Sequence, residues 1–110
     1  MSLTIADRVS GDFHVLELAG DIDVETARTL RAHIVDKFSQ PTSRVVVDLS
    51  GVAFMDSSGL GALVSGWQLT REDGAFRIAG ANPVVQRVLS ITGMEEVFAL
   101  YPSVEAATAG

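Results

Sequence analysis

The segment Arg44-Val45-Val46-Val47-Asp48-Leu49-Ser50-Gly51-Val52-Ala53-Phe54-Met55-Asp56-Ser57-Ser58-Gly59-Leu60 carries the strongest structural signal in the chain. Its opening run, Arg44–Leu49, is β-branched and continuous, the pattern of a parallel strand buried on both faces. Ser50-Gly51 predicts a turn. Beyond Val52–Met55, Asp56-Ser57 opens a helix, and after Ser58-Gly59 come Leu60, Leu63, Val64 and Trp67 at i, i+3, i+4 and i+7. That spacing predicts a helix that turns those four residues toward a sheet. It should run to about Glu72, with Asp73-Gly74 stopping it.

Outward from this segment the same alternation continues. Upstream, Leu3–Val9 and Phe13–Ala19 read as two strands around a Ser10-Gly11-Asp12 turn, the second half-buried with one apolar face. Gly20-Asp21-Ile22-Asp23 breaks the pattern. Asp23 then caps a helix striped by Ala27, Leu30, Ile34 and Phe38, which Gln40-Pro41-Thr42 ends. Downstream, Ala75–Ala79 is a short strand. Asn82 caps a third helix with Pro83 in its first turn, Val84, Val85, Val88 and Leu89 inward, and Gly93 at C′. Val97–Tyr101 is a last strand, and Ser103 caps a short helix over Val104–Thr108. The order predicts an α/β domain spanning residues 1–110. Its sheet is mixed but mostly parallel, has about five strands, opens with an antiparallel hairpin and is flanked by four helices.

The chain has 110 residues, of which 47% are hydrophobic and 20% charged, a composition suited to one globular domain. Eight Lys+Arg against fourteen Asp+Glu leave a net charge of −6, and the basic residues never cluster. Nucleic acid and anionic membrane are therefore not expected as partners. The absence of cysteine removes disulfides, thiolate catalysis and Cys-ligated zinc. His14 and His33 fall in different elements without ligand spacing. The apolar runs are too short to span a bilayer and the N-terminal residues lack a leader pattern, so a cytoplasmic location is expected.

Four carboxylates, Asp21, Asp23, Asp48 and Asp56, end strands or open helices, on the edge where open α/β sheets carry their sites. Taken singly, each reads as a helix or turn cap. Ser57-Ser58 admits two readings. A hydroxyl in a first helical turn lies beside unpaired N–H groups and the positive end of the helix dipole, so a phosphate there would be stabilised by those donors. The other reading is a plain N-cap, with Gly59 allowing close packing. Catalysis finds no complete constellation. A nucleophile elbow needs Gly-x-Ser-x-Gly, and Asp56 occupies its first glycine position relative to Ser58. No histidine follows the serines, and the one lysine, Lys37, lies inside a helix and not in a phosphate loop. Asp21 and Asp23 alone are two carboxylates without further metal ligands. No catalytic residue, metal site or cofactor is expected, and the chain is not read as an enzyme. A response-regulator receiver fails too, because the first strand lacks an acidic pair and the last lacks a lysine.

Gly20-Asp21-Ile22-Asp23, Val46-Val47-Asp48-Leu49-Ser50 and above all Phe54-Met55-Asp56-Ser57-Ser58-Gly59-Leu60-Gly61 resemble the anti-sigma factor antagonists, the stand-alone bacterial STAS domains. The resemblance extends over essentially the whole chain, including Ser90-Ile91-Thr92-Gly93-Met94. It implies a partner switch in transcription: the unphosphorylated antagonist binds an anti-sigma factor that is also a serine kinase, and so frees a sigma factor. The kinase then phosphorylates the serine after the motif aspartate, Ser57 here, with Ser58 the lesser candidate. A metal-dependent serine phosphatase reverses the step. The resemblance places Asp21, Asp23, Asp56, Ser57, Ser58 and Gly59 at the partner surface; a monomer or weak dimer is expected, and no cofactor. The alternative is a STAS-type scaffold or ligand-sensing module with no phosphoswitch.

Overall fold

The computed structural model describes residues 2–40, 44–70 and 75–109. Their elements run β1 (Leu3–Ser10), β2 (Phe13–Ile22), α1 (Val24–Phe38), β3 (Val45–Met55), α2 (Ser57–Leu69), β4 (Phe76–Ala79), α3 (Pro83–Thr92), a 3₁₀ turn (Met94–Glu96), β5 (Ala99–Tyr101) and α4 (Val104–Thr108). The sheet order is β1-β2-β3-β4-β5, with β1 antiparallel to β2 and every later pair parallel. This is the five-stranded mixed sheet with four helices expected from the residue pattern. No helix among the described residues is long and apolar enough to cross a membrane.

Each crossover steps one strand in the same direction. Right-handed crossovers of that kind deliver all their helices to one face. Accordingly Ala27, Leu30 and Ile34 of α1, Ala62 and Leu63 of α2, and Val85 and Leu89 of α3 share one core with Leu16, Leu18, Val45, Val47, Leu49 and Ile78. Among the described elements the opposite face carries α4, whose Val104 and Ala107 cover Phe13, Val15, Val46 and Ala79. Arg77, buried on that face, holds α4 in place. Its Nη1 donates to the Ala107 carbonyl at 2.5 Å, and its guanidinium lies over the rings of Phe13 and Tyr101 at 4.7 and 5.2 Å.

Several expectations are corrected. β2 is buried on both faces over Val15 and Leu16, since the helices and α4 sandwich it, and it continues through Gly20 and Asp21 to Ile22. Ser50-Gly51 is not a turn. β3 runs unbroken to Met55, and between Glu17 and Asp21 its register against β2 slips twice, each time by one extra β3 residue. These are β-bulges, and they explain why the buried residues Leu49, Val52 and Met55 recur every third position, not every second.

α2 ends at Leu69, because Thr70 is extended at ψ 142. Glu72 and Asp73-Gly74, and likewise Pro41-Thr42, lie outside the described residues. Trp67 does not face the sheet: it is 41% exposed, while the buried line of α2 is Gly59, Ala62, Leu63 and Gly66. A Cβ on Gly66 would lie 2.6 Å from the Phe76 ring, so the helix rides close on small residues and turns Trp67 to the flank. Val84 is 46% exposed for a related reason, the inward line of α3 being Val85 and Leu89. The last strand starts at Ala99, after the 3₁₀ turn.

Candidate functional site

The parallel pairing of β2 with β3 ends in register at Ile22 and Met55, and each strand leads at once into a capped helix. Asp23 and Asp56 therefore occupy equivalent places on adjacent strands, joined by a hydrogen bond from the Asp56 N–H to the Ile22 carbonyl at 3.2 Å. The helix starts of α1 and α2 open side by side on one sheet edge.

Both aspartates are N-caps. Asp23 Oδ1 accepts from the N–H groups of Glu25 and Thr26 at 3.0 Å, and the Thr26 hydroxyl closes a capping box on the Asp23 N–H at 2.8 Å. The Thr26 N–H bond is the largest cause holding the Asp23 carboxyl below its ordinary value. Asp56 Oδ1 accepts from the N–H groups of Ser58 at 2.8 Å and Gly59 at 3.2 Å. So the cap of α2 is Asp56 and not a serine. This also corrects the expected phosphate cradle, since a phosphate on Ser57 would find the Ser58 and Gly59 donors already taken by a carboxylate.

Ser57 is the first residue of α2 and is exposed; Ser58 is half-buried. Neither hydroxyl is hydrogen-bonded among the described residues. Gly59 is buried, because an added Cβ would sit 2.6 Å from Met55 Cγ and 2.7 Å from Ile22 Cγ2. It sets how closely the first turn of α2 approaches the sheet and presents no side chain to a partner. Asp21 is half-buried and pairs in register with Phe54. Asp48, by contrast, lies further back on β3, where its Oδ1 accepts the Ser50 N–H at 3.0 Å.

Two features escaped the residue pattern. The second bulge leaves Ala53 and Phe54 both outward, so an aromatic ring stands 41% exposed beside the Asp56-Ser57 corner. Two successive outward residues between Val52 and Met55 are the signal that could have found it. Asn82, expected only as a cap, also reaches back to β3: its Nδ2 donates to the Val52 carbonyl at 2.6 Å while its Oδ1 accepts the Val85 N–H at 3.1 Å. Among the described residues no group of three or more His, Asp or Glu could hold a metal ion.

A family model described as the STAS domain matches residues 4–107. The anti-sigma-B factor antagonist of Staphylococcus epidermidis is 32% identical over 98 residues, covering 88% of this chain and 91% of that one. The crystal structure of an anti-sigma factor antagonist from Mycobacterium paratuberculosis superposes with a TM-score of 0.90 at 28% identity, over 98% of this chain and 92% of that one. The phosphorylated form of the Bacillus cell fate determinant SpoIIAA superposes with a TM-score of 0.71 over 96% of each chain, and at 19% identity this likeness concerns the fold.

Proposed function

This chain belongs to the STAS domain family, and from that premise we propose that it is an anti-sigma factor antagonist switched by phosphorylation of Ser57. The unphosphorylated protein binds an anti-sigma factor that is its serine kinase, which releases a sigma factor; a metal-dependent serine phosphatase restores the binding form. The protein acts in the cytoplasm as a partner, without catalysis of its own. The observation that carries this reading is the division of labour at the start of α2. Asp56 does the capping, which leaves the exposed Ser57 hydroxyl with no structural task. A hydroxyl so placed can be modified without unmaking a helix. Ser58, half-buried and adjacent, is the lesser acceptor.

The switch works by charge. A phosphate adds about −1.5 to −2 charges to a corner that already holds Asp56, Asp23 and Asp21. With two first-turn N–H groups engaged by Asp56, the new charge faces outward, toward the docked partner. Desolvation and like-charge repulsion within a tight interface then oppose binding. A cost of about 1.4 kcal/mol is tenfold in affinity, so a few such increments suffice for a switch.

Intact mass after incubation with the cognate kinase and Mg-ATP tests the assignment. One phosphate on the wild type and none on Ser57→Ala is expected, with Ser57→Ala still binding the kinase and Ser57→Asp binding it weakly. Phosphate on both proteins would move the acceptor to Ser58. No phosphate on either, with a kinase active on another substrate, would leave a STAS-type binding module without a phosphoswitch.

A further inference from the structure

The end of β3 is held by a side chain where a strand would be expected. Among the described residues β3 pairs with β4 as far as Asp48 and Ala79, and it continues to Met55 paired with β2. On the vacated side stands Asn82. Its Nδ2 lies 2.6 Å from the Val52 carbonyl and 3.4 Å from those of Leu49 and Ser50, while its Oδ1 caps α3 through the Val85 N–H. The loop before it is pressed onto the same bulge: a Cβ on Gly80 would fall 2.9 Å from Asp48 Oδ1 and 3.1 Å from Ser50 Cβ. Asp48 in turn holds the Ser50 N–H. One amide therefore both starts α3 and fastens the bulged strand that leads directly into Phe54, Asp56 and Ser57.

We propose that Asn82 is a positioning residue for the Ser57 switch: by clamping the Leu49–Val52 bulge it sets the height and direction in which the Phe54–Ser58 corner is offered to the kinase. The proposal rests on the phosphoswitch reading above. A bulge without a clamp can slip or flex, and the hydroxyl would then be misplaced at the moment of transfer, which costs rate more than it costs binding.

Two variants separate this role from simple capping. Asn82→Asp keeps the shape and the acceptor for the Val85 N–H but turns a carboxylate toward the β3 carbonyls. Asn82→Ser also keeps a competent cap but cannot reach them. Ser103→Ala serves as the control, since it removes the cap of α4 at Ala106 N–H on the other face of the sheet. All are assayed below their unfolding temperatures, by steady-state phosphorylation with the cognate kinase and by amide hydrogen exchange.

In both Asn82 variants kcat should fall at least tenfold with KM changed less than threefold, and exchange over residues 54–58 should quicken at least tenfold. Ser103→Ala should show neither effect. Asn82 variants with wild-type kcat and wild-type exchange overturn the positioning role, as does a rise in KM alone or an equal kinetic loss in Ser103→Ala. A wild-type protein that accepts no phosphate overturns the phosphoswitch reading and this role with it, so the two failures are distinct.

Discussion

At the scale of single residues, the two N-cap aspartates have the same geometry and different uses. Asp23 closes a capping box, and the Thr26 N–H keeps its carboxyl below the ordinary 3.8. A carboxyl lowered in the folded state stabilises the protein above the unfolded value, and the contribution is lost as pH falls through the folded one. Urea midpoints should therefore drop as pH is taken below 3.8, and Asp23→Ala should be less stable near neutrality with a shallower acid limb. Asp56 caps α2 with the same two bonds, next to an exposed serine. Phe54, turned outward by the bulge, stands exposed beside that serine, and on the proposed function it would meet the docked kinase. Phe54→Ala should weaken kinase binding about tenfold, roughly 1.4 kcal/mol, in a titration at constant salt. The capping roles were legible in the Asp-x-x spacing of the chain. The outward aim of Phe54 was not, because it depends on a slip in register against another strand.

At the scale of elements, α2 shows why apolar periodicity misleads when a helix lies close to its sheet. Leu60, Leu63, Val64 and Trp67 have the right spacing for an inward stripe, yet Gly59, Ala62, Leu63 and Gly66 are the residues buried. Both stripes share Leu63 and differ by a rotation of the helix, which only the distance to Ile22, Met55 and Phe76 decides. Gly59→Ala should cost about 1–3 kcal/mol through overpacking against Met55 and Ile22. Gly61→Ala, where an added Cβ meets nothing within 4 Å, should gain about 0.5–1 kcal/mol from helix propensity. Urea unfolding of the two variants reads these opposite signs directly. In α1 the apolar stripe does face inward: Ala27, Leu30 and Ile34 are buried and Phe38 packs at their edge, as their spacing predicts.

At the scale of the whole molecule, the one-sided stacking of α1, α2 and α3 brings the starts of α1 and α2 together at one edge, and the acidic corner with them. Far from that corner, the hairpin is fastened to the helical layer by Lys37 of α1 and Asp7 of β1. The Asp7 bond is the largest cause raising the Lys37 pKa above 10.5. That stabilisation is present below 10.5 and is lost as pH rises through the folded value, so Asp7→Asn should lower stability at neutral pH and remove part of the alkaline limb. The proposed Ser57 switch acts through charge at a partner surface, so it is open to screening. The affinity gap between wild type and Ser57→Asp for the kinase should narrow as salt is raised from 0.05 to ~0.5 M, because screening shortens the reach of the added charge. A gap independent of salt would point instead to rearrangement of α2.

The chain by itself determined the alternation of strands and helices, the opening hairpin, the caps and the Asp56-Ser57 corner. Each is written in neighbouring residues, whose spacing and backbone preferences act locally. Tertiary structure alone decided the rest. The bulges of β3 exist only as a mismatch with β2, and the rotation of α2 only as a fit to Phe76, Met55 and Ile22. The second task of Asn82 requires β3, some thirty residues earlier in the chain, to run on past the end of β4. These are relations between segments far apart in the chain, and close packing fixes them only once the segments have met.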